Sequence, residues 1–392
     1  MQGKRLLKSI RLKNLLSYGS EGETLELEPL NVLIGSNASG KSNLIDAISV
    51  LAAAPRDLFK PFWEGGGTSE WLWKGSEKLP RAELEAIVEY RQGPLQYRLA
   101  LTAVDFRLKL MDERIAYAGG SSAVGERLLY KRGTNAASIS MHGSDKMVKL
   151  RTGELDLEQS VLSQRKDPRV YPELTYLGEQ LAKAVFFRDW SLSRSSMMHR
   201  AQDSDLPNDF LLEDARNLAL VLNDLQNRPE TKRLLLEKLK VVYEGIEDIT
   251  TRVQSGSIQI LLHERGLKLP VPASRVSYGV LHYLCLLTIL LHPEPPPLIC
   301  LEEPELGLHP DIIHKIADLL IDASLRTQLI VTTHSETLIS RLSEVPESVV
   351  VCERDDRGTR LQRLEPERMK AWLERYSLGE LWSMGEIGGN RW

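Results

Sequence analysis

Residues 31–48 read NVLIGSNASGKSNLIDAI, and the order of residue types in that run decides the fold. Val32 to Ile34 form a short apolar run that stops at Gly35. Beyond Ser42, Leu44, Ile45, Ile48 and Leu51 recur at helical spacing until Pro55 closes the pattern. Between strand and helix, GSNASGKS (residues 35–42) matches G-x-x-x-x-G-K-[ST] at every fixed position. Gly35 and Gly40 let the backbone curl so that its N–H groups and the helix N-terminus surround a phosphate. Lys41 is expected to reach the β- and γ-phosphates, and the Ser42 hydroxyl to ligate Mg²⁺. Asn37, Ala38 and Ser39 inside the loop, and Asn43 just after it, complete the candidate nucleotide contacts.

Such a loop needs a carboxylate at the end of a neighbouring strand. Leu298-Ile299-Cys300-Leu301-Glu302-Glu303 supplies an apolar strand followed by two. Glu302 is the candidate for the Mg²⁺ shell, and Glu303 the candidate general base that orients the attacking water. A second strand ends in Thr332-Thr333-His334-Ser335, where a histidine can sense the γ-phosphate or that water.

Outward from these motifs, KSIRLKNLL and ETLELEPL read as strands. Residues 81–139 read as hairpins, one of them turning at Gln92-Gly93-Pro94. Residues 144–243 read as mainly helical. DITTRVQ-SGS-IQILLHE is a further hairpin, followed by alternating helices and strands up to a last predicted strand over 348–352. The alternation predicts a largely parallel sheet covered on both faces. The expected organisation is a discontinuous head, residues 1–143 and 244–392, with a mainly helical insertion over 144–243.

The whole chain has 392 residues and a net charge of −4, with 42% hydrophobic and 27% charged residues, a balance that excludes a disordered tail or a wholly basic nucleic-acid glove. Cys285, Cys300 and Cys352 lack the close pairing of zinc or redox motifs and are expected to be buried thiols in a reducing cytoplasm. The N-terminus has no sustained apolar core of a signal peptide. The longest apolar stretch, residues 281–291, falls short of the ~20 residues of a spanning helix. A cytoplasmic protein without a membrane segment is the expectation.

Together, GSNASGKSNLIDAI, LEEPELGLHP and TTHS resemble the ABC-type ATPase heads of the RecF, SMC and OLD (overcoming lysogenisation defect) group. The chain is most similar to the short bacterial AAA-family ATPases of the OLD-like branch. The resemblance covers about Leu6 to Asp46 and Ser274 to Arg341, and the C-terminal SLGELWSMGEIGGNRW also resembles those proteins. It implies an ABC-type P-loop head with a mixed sheet, an antiparallel β subdomain and a helical insertion, hydrolysing ATP with Mg²⁺. It further implies a homodimer that sandwiches nucleotide between the P-loop of one subunit and a signature helix of the other. Val276-Ser277-Tyr278-Gly279-Val280 matches that signature, with Ser277 and Gly279 at its serine and second glycine, whereas Tyr278 departs from the usual glycine. No glutamine occupies an obvious Q-loop position, for which residues 65–75, rich in glycine and tryptophan, are one candidate.

The distance from Gly35 to Ser277 leaves no room for SMC-type coiled-coil arms. Glu353-Arg354-Asp355-Asp356 lacks the spacing of a TOPRIM nuclease site, so an associated nuclease is expected on another chain. The leading expectation is a dimeric ATP switch controlling a separate effector in anti-phage defence or DNA maintenance. The alternative is a RecF-like DNA clamp, whose nucleic-acid face would be the aromatic and basic residues Phe186-Phe187-Arg188-Asp189-Trp190 with Arg194, His199 and Arg200. Arg11, Lys13 and Asn14, ending the first strand, are further candidates to approach the nucleotide. A transporter subunit is disfavoured by the long path from P-loop to signature.

Overall fold

The structure is a computed structural model that describes residues 3–76, 80–104, 107–119, 127–134, 136–143, 146–151, 153–188, 190 and 197–389. At its centre lies a six-stranded sheet in the order Val185–Phe187, Leu298–Glu302, Gln328–Thr332, Leu30–Ile34, Val349–Asp355 and Gly358–Arg363. The first five strands are mutually parallel and the sixth is antiparallel to the fifth. The strand expected over 348–352 is therefore longer, and a further strand, Gly358–Arg363, follows it.

All five residues of Leu30–Ile34 are buried, as a strand covered on both faces requires. Because successive side chains point to opposite faces, alternate residues enter two different cores. Leu30, Val32, Ile34, Ile299, Leu301, Leu329 and Val331 join one, and Leu33, Leu298, Cys300 and Ile330 join the other.

The second core holds the helix Lys41–Ala53. Its Leu44, Ile45, Ile48 and Leu51 are almost fully buried, each worth roughly 1.5–3 kcal/mol. They pack under an eight-stranded antiparallel sheet that begins with Glu23–Glu26 and Leu7–Lys13 and continues through Ala82–Val88, Leu95–Val104 and Arg107–Tyr117 to Met147–Lys149. The two N-terminal strands thus belong to this sheet, while Leu30–Ile34 joins the C-terminal strands.

The first core holds the helices Leu218–Gln226, Pro229–Lys240, Tyr278–Leu290 and Pro310–Ser324, together with the hairpin Ile246–Gln254 and Ser257–Glu264. The helix Tyr278–Leu290 is apolar nearly all round and is buried from Leu281 to Leu290. Within residues 144–243, the strand Val185–Phe187 lies in the central sheet beside Leu298–Glu302. The three cysteines are buried and unpaired, and no described helix is long and apolar enough to cross a membrane.

Gln328, fully buried at the start of its strand, ties the central sheet to the antiparallel one. Its Oε1 accepts from the N–H groups of Leu6 (3.0 Å) and Leu7 (2.8 Å). Its Nε2 donates to the carbonyls of Leu7 (2.8 Å) and Glu28 (3.1 Å).

Candidate nucleotide site

The loop 35–42 connects Leu30–Ile34 to Lys41–Ala53, as the sequence expects, and it depends on backbone that L side chains adopt reluctantly. Gly35, Ala38 and Gly40 have φ of 151°, 63° and 104°. A Cβ on Gly35 would lie 2.2 Å from the Cys352 carbonyl oxygen, so only glycine fits there. Lys41 Nζ donates to the carbonyls of Gly35 (2.9 Å) and Ser36 (3.0 Å), and burial holds its pKa below the usual lysine value. Ser39 is buried with its hydroxyl unpartnered inside the loop. Asn37 and Ala38 are exposed, and Asn43 Nδ2 donates to Ser17 Oγ at 2.8 Å.

The strand Leu298–Glu302 brings its terminal carboxylate to the loop. Ser42 Oγ donates to Glu302 Oε2 at 2.7 Å. Burial raises the Glu302 pKa, and the Ser42 hydrogen bond and nearby Arg188 oppose that shift. Glu303 follows with φ of 45°, an uncommon conformation for a residue with a side chain and one that costs of order 1–3 kcal/mol. Its N–H donates to Thr332 O at 3.0 Å, which fixes it against the end of the next strand. There His334 Nε2 lies 3.9 Å from Glu303 Oε1. Burial, and then the Lys41 charge, lower the His334 pKa against the opposing pull of Glu303, which favours the neutral imidazole. Lys41, Ser42, Glu302, Glu303 and His334 therefore gather at the C-terminal ends of three adjacent parallel strands, where ligands bind in open α/β sheets.

Three further residues that the sequence does not assign to this group stand beside it. Glu305 Oε1 accepts from Thr333 Oγ1 (2.5 Å) and from the His334 N–H (3.1 Å), so it clamps the turn after one strand to the end of the next. Arg188, just past the edge strand Val185–Phe187, pairs through Nη1 with Asp46 Oδ1, and its Nε lies 3.7 Å from Glu302 Oε1. Trp190 Nε1 donates to the Glu302 carbonyl at 2.7 Å, and its ring lies 4.3 Å from the His282 ring on the helix Tyr278–Leu290.

Phe186, Phe187 and Trp190 are thus core side chains, with at most 9% exposure, and cannot form the aromatic face expected for nucleic acid. His199 is likewise buried. Arg200 is exposed, while Asp189 and Arg194 lie outside the described residues. Residues 65–75 lie beside the P-loop, where the Leu16 N–H donates to Trp71 O and the Trp73 N–H to Asn14 O. There Ser17, Asn37, Asn43, Trp73 and Arg354 line a cleft of ≈ 750 Å³. A larger cleft of ≈ 1580 Å³ opens where the strands begin, near Leu6, Val185 and Pro297, away from these carboxylates.

Arg11, Lys13 and Asn14 show no bond to the loop, and Asn14 Nδ2 donates to Arg81 O. The loop's support comes from the next turn: Tyr18 Oη donates to Gly40 O at 3.2 Å. Thr359 Oγ1 lies within hydrogen-bond distance of Ser17 Oγ (2.7 Å) and Ser39 O (2.9 Å). Ser277 is the exposed N-cap residue of the helix Tyr278–Leu290, and its side chain makes no capping bond. Gly279 sits against the turn after Glu303, where a Cβ would lie 3.3 Å from Gly307 O.

The family model described as "AAA domain, putative AbiEii toxin, Type IV TA system" matches residues 30–140 and 148–340. The chain belongs to that family. Two stretches of this AAA-domain chain are similar to proteins named "DNA replication and repair protein RecF". One, from an Exiguobacterium species, is 59% identical over 51 residues, 12% of this chain and 13% of that protein. The other, from Staphylococcus haemolyticus, is 32% identical over 105 residues, 26% of this chain and 25% of that protein.

Among solved structures, the fold is similar to an SMC head bound to the C-terminal winged-helix domain of ScpA. The TM-score is 0.54 at 14% identity, covering 93% of this chain and 99% of that one. It is also similar to an SMC head with an extended coiled coil bound to the C-terminal domain of ScpA derived from Pyrococcus furiosus, with a TM-score of 0.56 at 13% identity, covering 94% and 98%. The fold is that of an ABC-type P-loop ATPase head in the RecF and SMC group.

The donors present fit ATP and Mg²⁺. A hydroxyl and a carboxylate in contact, with Asp46 adjacent, are the hard oxygen groups that Mg²⁺ takes alongside phosphate oxygens. A loop with an unpartnered buried hydroxyl and left-handed backbone fits a polyphosphate.

Proposed function

We propose that this chain hydrolyses ATP as a head-to-head dimer and works as a nucleotide-dependent switch on a separate effector protein, in anti-phage defence or DNA maintenance. The observation that carries the reading is the Ser42–Glu302 contact at 2.7 Å beside the Glu303–His334 pair at 3.9 Å. Both contacts lie on adjacent strand ends, which supports reading them as a metal-holding pair and a base with its sensor.

Bound Mg²⁺ supplies charge stabilisation on the β- and γ-phosphate oxygens. Lys41 leaves the Gly35 and Ser36 carbonyls to meet those oxygens, and the loop N–H groups from Gly35 to Ser42 hold the chain of phosphates. Glu303 orients the attacking water and accepts its proton. A neutral His334 hydrogen-bonds the outer phosphate or that water. Ser277, exposed and free of a capping bond, serves the partner's nucleotide with Gly279 and the helix N-terminus.

The family description, with its reference to a toxin system, supports the defence setting, and the SMC heads bound to ScpA support an output through a second protein. Replacing Glu303 by Gln is expected to lower ATP hydrolysis by roughly 10²–10⁴-fold while ATP binding persists. The substituted protein should elute as an ATP-dependent dimer in size-exclusion chromatography with light scattering. Hydrolysis at the wild-type rate would remove Glu303 from the role of base. The RecF similarity supports a second reading, an ATP-gated DNA clamp. The burial of Phe186, Phe187 and Trp190 takes away the face proposed for it, and absence of duplex binding at low salt would dismiss it.

A further inference from the structure

Glu302 is held from three sides. Its Oε2 accepts from Ser42, its Oε1 faces the Arg188 guanidinium at 3.7 Å, and its main-chain carbonyl accepts from Trp190. Asp46 lies one helical turn beyond Ser42, on the same face of the helix Lys41–Ala53, and pairs with the same guanidinium. A single positive charge therefore stands between two carboxylates in the ring of oxygen donors fitted to Mg²⁺. The guanidinium also lies over the Phe186 ring, 5.4 Å from its centroid, and the Arg188 side chain is 32% exposed, so it has room to turn outward.

Resting on the nucleotide-site reading above, we propose that Arg188 is a displaceable cation of the metal site. It balances Glu302 and Asp46 when no metal is present and swings onto the outer phosphate oxygens when nucleotide enters. A guanidinium and a dication cannot share Glu302 without like-charge repulsion. A planar guanidinium matches a phosphate group in two-pronged geometry. The hydrogen bond from Trp190 to the Glu302 carbonyl and the Trp190 contact with His282 anchor the backbone just beyond Arg188. The side chain turns while the strand end stays in place. Arg188 thereby favours metal-free ATP and opposes the metal, so that the two ligands are coupled through one side chain.

The test uses equilibrium titration of a fluorescent ATP analogue, in EDTA and across a Mg²⁺ series, on wild type and on Arg188→Gln. The substitution is expected to weaken metal-free binding roughly tenfold and to lower the Mg²⁺ concentration for half-maximal enhancement several-fold. The ratio of the two affinities should therefore widen. Arg188→Lys keeps the charge but not the two-pronged geometry, so its ratio should fall between those of wild type and Arg188→Gln. It also covers the case in which the glutamine variant does not fold. A purely structural role would weaken binding equally with and without Mg²⁺, and that equal shift in either variant overturns the proposal. Wild type that binds no nucleotide under either condition, like the control Lys41→Ala, overturns the nucleotide-site reading itself.

Discussion

Glu305 has one carboxylate oxygen in use and one buried without a partner. Burial pushes its pKa up, and the bonds from Thr333 and the His334 N–H oppose that shift. Replacing it by Ala takes the acceptor from the Thr333 hydroxyl proton and the His334 N–H, at a cost of about 1–3 kcal/mol. Gln keeps an acceptor and adds a donor, and is expected to lie near wild type. Urea unfolding of the two variants checks this, and equal losses would mean that the clamp contributes nothing. Glu305 stands within the acidic run LEEPELGLHP, yet nothing in that run names its partners. They lie on the next strand end, and only the parallel pairing of Leu298–Glu302 with Gln328–Thr332 brings them close. Glu302, Glu303 and His334 were legible for the opposite reason: each ends an apolar strand, so position alone suggests its place.

The helix Tyr278–Leu290 links Ser277 and Gly279 to the carboxylates through His282. Its Nδ1 bonds Leu306 O at 2.9 Å, its Nε2 is unpartnered, and Trp190 and Tyr278 pack against its ring. Burial lowers its pKa to about 4, from an ordinary value of 6.5, so the folded protein holds it neutral. Between those values the unfolded chain binds more protons than the folded one. The stability tied to neutral His282 is therefore complete above about pH 6.5 and lost progressively as pH falls toward 4, to an extent of roughly 3 kcal/mol. His292 and His334 are shifted the same way and add to the slope. In thermal melts from pH 7 to pH 4.5, His282→Asn should flatten the decline without abolishing it. An unchanged slope would assign the acid sensitivity elsewhere. The sequence shows this helix plainly, as an apolar run after Ser277. It does not show the bridge, because Trp190 comes from a segment that reads as an insertion and yet supplies an edge strand to the central sheet.

Across the whole molecule, two cores share one sheet, which Gln328 joins to the antiparallel one at its middle and Arg360, Arg363 and Glu23 join at its edge. Gln328→Leu keeps the volume but removes the amide's bonds to Leu6, Leu7 and Glu28, of which the Glu28 carbonyl keeps another donor, Asn31 Nδ2, and should cost about 3–5 kcal/mol. The urea midpoint measures it. A loss under about 1 kcal/mol would show that water replaces the amide at the junction. The hairpins and the alternation of strands and helices were readable from periodicity. The division of the N-terminal strands between two sheets was not, because strand partners are set by long-range pairing rather than by local pattern.

The place of Leu30–Ile34 between Gln328–Thr332 and Val349–Asp355 also orders events during synthesis. The ribosome delivers this strand roughly 300 residues before either of its flanking partners. Loop closure over such a span is slow. The loop at Gly35 rests on the Cys352 carbonyl and on Thr359, so it cannot take its final shape before those residues arrive. A nascent chain therefore gains its grip on nucleotide only as these two flanking strands dock, and a ribosome-bound intermediate stalled before residue 349 should be blind to ATP.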